Sequence, residues 1–277
     1  MAPTGMSGRT SPSSLPPAGR RHAAALLAVA LAAWAFVAWL ALVADPMTQP
    51  LARLAMPMST AWRPATVAAV FMMWSVMMAA MMLPSALPMA LVFARLSPRG
   101  GRAPFLAFVG AYLLVWAGFS VVATLLHWAL QSAGLVSPMS MRAVPVLSGG
   151  LLVAAGLYQM TPLKNACLSR CRAPVQFLMS EWRAGTWGAL VMGLRHGLFC
   201  VGCCWALMAV LFAVGIMNLP AVVALALAVG IEKLVPRGDW IARGIGIVLI
   251  LAGLFVLGSP PAGGPSGDAP SMDHQGM

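Results

Sequence analysis

LVMGLRHGLFCVGCCWALMAVLFAVGI, residues 190–216, holds a single permanently charged side chain, Arg195, in a run otherwise apolar enough to enter lipid. About 20 residues rising 1.5 Å each cross the roughly 30 Å of bilayer hydrocarbon. Inside lipid every backbone N–H and C=O must be paired within the protein, which leaves only helices and closed barrels. Nothing here alternates with the two-residue period of a barrel strand, so the stretch reads as a transmembrane helix.

The same reading extends in both directions. The chain of 277 residues is 61% hydrophobic and 8% charged, whereas soluble domains carry roughly 25% charged residues. Apolar runs at 23–44, 66–93, 104–129, 143–160, 190–216, 219–235 and 240–258 make seven candidate spans. The fourth and sixth are short, and the second is interrupted by Pro84 and Pro88. Reading the first run as a cleaved signal peptide would leave six spans, but it exceeds the usual apolar region of about 7–15 residues, which favours a retained anchor.

Charge sets the orientation. Of 17 Lys and Arg, three (Arg53, Arg63, Arg142) fall in outer segments and Arg195 falls within a span, provided the N-terminus is inside. All the others fall in inner segments. That asymmetry predicts a multi-pass protein of a bacterial inner membrane, with its N-terminus cytoplasmic and its C-terminus periplasmic. The net charge of +11 then belongs to loops beside anionic headgroups, and nucleic acid is not an expected partner. The expected fold is an all-α polytopic bundle over residues 23–258, flanked by disordered tails at 1–22 and 259–277. Between spans four and five, residues 161–185 open with Thr161-Pro162 and repeat Leu163, Cys167 and Cys171 at four-residue spacing, with Lys164, Arg170 and Arg172 on other faces. This predicts a short amphipathic helix at the inner interface.

Four residues of the fifth span carry chemistry. With about 100° per residue and His196 at zero, Cys200 falls near 40°, Cys203 near −20° and Cys204 near 80°, all on one face. Gly193 and Gly197 flank that face and allow a neighbouring helix to approach closely. Membrane helices also bury cysteine simply as a small apolar residue. Here, however, three of five Cys and one of four His share a face, and thiolate and imidazole are ligands for Cu(I) or Zn(II) rather than Mg(II) or Ca(II).

The second span supplies thioethers in FMMWSVMMAAMMLPSALPM, residues 71–89. Met73, Met77, Met78, Met81, Met82 and Met89 cover one half of a helix, and Met72 lies apart. Such residues are good core fillers as well as Cu(I) ligands. Spans two and five run antiparallel, so Met77–Met82 and Cys200–Cys204 should share a depth near the midplane. Pro84 removes an N–H there and is expected to kink the helix. Arg195 and Glu232 place charges in the inner third of their spans, where an isolated charge costs at least a few kcal/mol. They could pair with each other, or Glu232 could serve as a ligand near His196. A helix end reaching the interface is the plainer account of Glu232 and Lys233. Cys167 and Cys171 would form a cytoplasmic station on the same path.

GLRHGLFCVGCCWALMAVLFAVGIMN and GIEKLVPRG, with MMWSVMMAAMMLPS and GLYQMTPLKNACLSRC before them, resemble a bacterial family of uncharacterised, predicted metal-binding integral membrane proteins, domain of unknown function 2182. The resemblance covers about residues 65–250. It implies a membrane protein that binds metal, and its motif maps onto His196, Cys200, Cys203, Cys204 and Glu232. The expected function is binding of a soft metal, foremost Cu(I) with zinc as the alternative, for transport or for delivery to a metalloprotein. A metallochaperone or cuproprotein is the expected partner, beside the lipid bilayer. No catalytic set is expected. A different class of reading also stands, a thiol–disulfide oxidoreductase using Cys200 and Cys203 as a CxxC pair.

Overall fold

The computed structural model describes residues 17–97, 102–235 and 237–259, and these form ten helices. They are α1 (Pro17–Leu42), α2 (Pro50–Ala55), α3 (Pro64–Leu96), α4 (Arg102–Ser132), α5 (Pro145–Gln159), α6 (Pro162–Arg172), α7 (Pro174–Glu181), α8 (Gly185–Val214), α9 (Leu219–Leu234) and α10 (Gly238–Gly258). The tails expected at 1–22 and 259–277 lie mostly outside the described residues, and 17–22 are helical, within α1.

Local sequence explains where the helices begin. Proline stands in the first turn of α2, α3, α5, α6 and α7, where its missing N–H would have no partner anyway. Thr161 caps α6 by accepting from the Lys164 amide, and Asn218 caps α9 by accepting from the Ala221 amide. At the far end of α8, Gly215 adopts φ 104°, a left-handed conformation that lets the chain turn towards α9. Arg142 Nε and Ser148 Oγ both donate to the Ala213 carbonyl, satisfying one of the acceptors that α8 leaves over.

Five helices are long and apolar enough to cross a membrane: α1, α3, α4, α8 and α10. A sixth span results if α5 and α6, bent by 65° at their junction, count as one. This is fewer than the seven expected. The runs at 143–160 and 219–235 are indeed helical, but α5 has 15 residues and α9 has 16. At 1.5 Å per residue each is only about 22–24 Å long, short of the hydrocarbon thickness. α3 stays one helix of 33 residues through Pro84 and Pro88.

Small residues set the close crossings. A Cβ on Gly193 of α8 would stand 2.2 Å from the Phe108 carbonyl oxygen of α4, and one on Gly197 would stand 2.9 Å from Val115. The α5–α10 pair also packs through glycine, and there the glycines face each other. A Cβ on Gly156 would meet the Gly246 carbonyl at 2.5 Å and one on Gly246 would meet the Gly156 carbonyl at 2.8 Å, and Gly149 and Gly253 repeat the pattern. In lipid such backbone proximity replaces the hydrophobic drive that packs helices in water. Substituting Gly193→Ala should lower the melting temperature in detergent, with about 1–3 kcal/mol of overpacking. Gly118→Ala, where a Cβ meets nothing within 4 Å, should leave it unchanged or raise it. Equal shifts for both would refute close packing at Gly193.

The core gathers around α3 and α8. α1 lays Leu26, Ala30, Ala33, Val37 and Leu40 inward at helical spacing. On α3, Met73, Met77, Met78, Met81, Met82 and Met89 are all buried, while Met72 is 56% exposed. The thioether half of that helix therefore faces protein.

Candidate metal centre

Cys200, Cys203 and Cys204 are each 1% exposed, at the middle of α8. Their shared face turns towards α3, α4, α6 and α9. Cys204 Sγ lies 3.9 Å from Met82 Sδ of α3. Cys203 Sγ and Cys204 Sγ both donate to the Cys200 carbonyl, at 3.1 and 2.9 Å, as side chains one helical turn on can do. Cys200 Sγ instead turns outward, with Tyr112 Oη of α4 at 3.2 Å and Lys233 Nζ of α9 at 3.0 Å. Tyr112 also donates to the Met82 carbonyl at 3.3 Å, tying α4 to α3 at this level.

The two cysteines of α6 join the same cluster rather than forming a separate station. Cys171 stands within electrostatic reach of Cys200 and Cys203. Cys167 Sγ packs against Gly202, where a Cβ would stand 2.8 Å from it, and Tyr158 donates to the Gly202 carbonyl. All five cysteines are free. α6 does start at Thr161-Pro162, but its inward face is rotated from the one expected. Leu163 is 62% exposed, whereas Lys164 and Leu168 are buried.

The rotation has an electrostatic cause. Lys164 Nζ, fully buried, pairs with Glu232 Oε2 at 2.7 Å, and Gln159 Nε2 donates to Glu232 Oε1 at 2.6 Å. Lys164 also donates to Gln159 Oε1, closing a three-member network among α5, α6 and α9. Glu232 is thus a buried carboxylate held by two donors from neighbouring helices. It does not pair with Arg195. Arg195 points outward, half-exposed, and forms an ion pair with Glu181 of α7, which takes it out of the site.

His196 faces inward and is buried. Its ring stacks with Tyr112 (centroids 5.3 Å apart) and Phe108 (6.1 Å) and tilts against Phe177 (5.8 Å). Neither ring nitrogen has a hydrogen-bond partner. Met77, Met78 and Met81 are buried along α3, and Met82 Sδ faces the Cys204 thiol. Pro84 lines a 590 Å³ cavity between α1, α3 and α9, together with Trp34, Met81, Ser85, Val223 and Gly230.

Three participants were not singled out from sequence. Tyr112 carries no motif signal, and Lys164 reads only as lying on a face of its helix other than that of Leu163, Cys167 and Cys171. Lys233 was visible beside Glu232, but a lysine at a helix end reads as snorkelling until its neighbour is known. In the fold it is 7% exposed, donating to Cys200, to Ser85 Oγ at 3.1 Å, and lying 4.0 Å from Met82 Sδ.

Among the described residues, no three His, Cys, Asp or Glu side chains converge closely enough to hold a metal ion. What meets there is the Cys204 thiol with the Met82 thioether, with Cys203 held beside them on the Cys200 carbonyl. Such sets suit an ion of low coordination number and soft character, and suit zinc poorly, which asks for four N, S or O donors in a tetrahedron.

Comparison with known proteins agrees with the donor chemistry. A family model described as copper chaperone, PpoB2, matches residues 71–256, and the chain belongs to that family. No curated protein and no solved structure matches the chain.

Proposed function

We propose that this member of a copper-chaperone family receives Cu(I) inside its helical membrane domain and presents it to a cuproprotein under assembly. Copper is the cargo, held by Cys200, Cys204 and Met82, with Cys203 and Cys171 as neighbouring thiols through which it exchanges. The observation that carries this reading is the sulfur cluster itself, which joins α3, α6 and α8 and is buried among aromatic and apolar side chains. Soft donors select Cu(I), and a thioether beside thiols gives a bond weak enough to release it.

His196 stands towards the arginine-bearing end of α8 from the thiols. It acts as a neighbouring aromatic wall rather than a donor, since its contacts are ring stacking. The thiol–disulfide reading needs a cysteine that a protein substrate can reach from water, and three thiols at 1% exposure do not favour it. The chain has no nucleotide-binding loop, so cargo transfer draws on the affinity of the recipient.

The test is metal analysis of the full chain purified anaerobically in detergent. The wild type should hold about one Cu(I) per chain in competition with a Cu(I)-specific chelator. Met82→Leu preserves volume and removes the thioether, and should weaken retention by about tenfold, as losses of single tuning groups do at metal sites. A wild type that holds no copper in reducing buffer would remove the function as well as the site.

A further inference from the structure

Lys233 occupies an unusual place for a cation. Its ammonium lies 3.0 Å from Cys200 Sγ and 4.0 Å from Met82 Sδ, among the very atoms assigned to the cargo. Among the described residues no carboxylate pairs with it, because the adjacent Glu232 is taken by Lys164 and Gln159. The buried charge nearest to Lys233 is therefore whatever the sulfurs carry.

We propose that Lys233 is the fixed counter-charge of the centre and makes it selective for a monovalent over a divalent soft ion. The inference rests on the copper-binding reading and concerns the valence of the cargo. The accounting follows from the contacts. Cys200 as thiolate with Lys233 as ammonium is neutral, and Cys204 as thiol adds nothing. When a monovalent ion arrives, bonds form from the metal to Cys200 and Cys204 sulfur, the Cys204 S–H bond breaks, and its proton leaves to water. Two thiolates, one M⁺ and one ammonium again sum to zero. A divalent ion bound by the same groups leaves one net positive charge in a site sealed from water, and uncompensated buried charge is strongly unfavourable. The apolar walls turn a charge count into a preference.

Lys233 is on this view a positioning residue that touches the ligand sulfurs without coordinating. The test compares Ag(I) alone, a redox-inert soft monovalent ion, with Zn(II) alone on the detergent-solubilised full chain. Wild type should favour Ag(I). Lys233→Met should shift the Ag(I)/Zn(II) affinity ratio at least tenfold towards zinc, and Lys233→Arg, which keeps the charge, should restore it. Lys233→Gln gives the same readout should the methionine variant fail to accumulate. An unchanged ratio in monodisperse Lys233→Met or Lys233→Gln would overturn the proposal, as would equal losses of both metals. A wild type that binds neither ion would instead overturn the copper reading beneath it.

Discussion

Replacing Cys200, Cys203 and Cys204 together with serine should lower Cu(I) affinity by at least ~100-fold while leaving the fold intact. Serine is close to cysteine in size, and its hydroxyl can make the same bond to a carbonyl one turn back, which is how Cys203 and Cys204 are held to the Cys200 carbonyl. What serine lacks is a polarizable, readily ionised donor. The triple variant should therefore elute as a monodisperse species with the wild-type melting temperature, and copper should be missing from it. Cys167 and Cys171 remain, so copper retained at wild-type stoichiometry would move the centre to α6. A variant that loses copper only because it unfolds would show a broad, early melt.

Lys164→Met should be among the most destabilising single changes in the chain, at about 3–5 kcal/mol. It strips the ammonium from Glu232, which is 1% exposed and keeps only the Gln159 amide as donor. The size of the effect comes from the orphaned carboxylate rather than from the strength of the pair, so the double variant Lys164→Met, Glu232→Leu should recover most of the loss. Thermal melting in detergent separates the cases. Should the single variant melt like wild type, the network carries no stability. Should the double variant be as weak as the single one, the carboxylate is not the source of the loss.

Much of the centre could be read from local periodicity. The one-sided placement of Cys200, Cys203 and Cys204 is a property of helix geometry alone, and so is the isolation of Met72 from the other methionines of α3. Gly193 and Gly197 announce a close neighbour for the same reason, although not which helix it is. The contact between Cys204 and Met82 agrees with the expected common depth of the two helices. Length alone separated the seven expected spans from the five or six found: α5 and α9 have the right composition but too few residues.

Long-range partners were not legible. Lys164 and Glu232 lie 68 residues apart, and a lysine on a polar short helix reads as solvated until its partner is placed beside it. Tyr112 enters the site because α4 crosses α8 at glycines, a fact about a helix pair rather than about the tyrosine's own neighbours in sequence. Arg195 misled in the opposite sense. Its place within an apolar run suggests a charge in lipid, yet α7, a second short helix within the segment 161–185 expected to hold one, brings Glu181 to meet it.

The facing glycines of α5 and α10 bear on the order in which a ribosome can complete this protein. α5 is made before α6, α8 and α9, which carry the cysteines, Glu232 and Lys233, and α10 is made after all of them. Gln159, at the end of α5, holds Glu232 and also packs where a Cβ on Gly246 of α10 would stand 2.9 Å away. α10, the last of the described helices to be made, is thus the clasp that closes the stretch of chain carrying the cysteines of α8. Until it docks, those thiols belong to a nascent chain with an open flank.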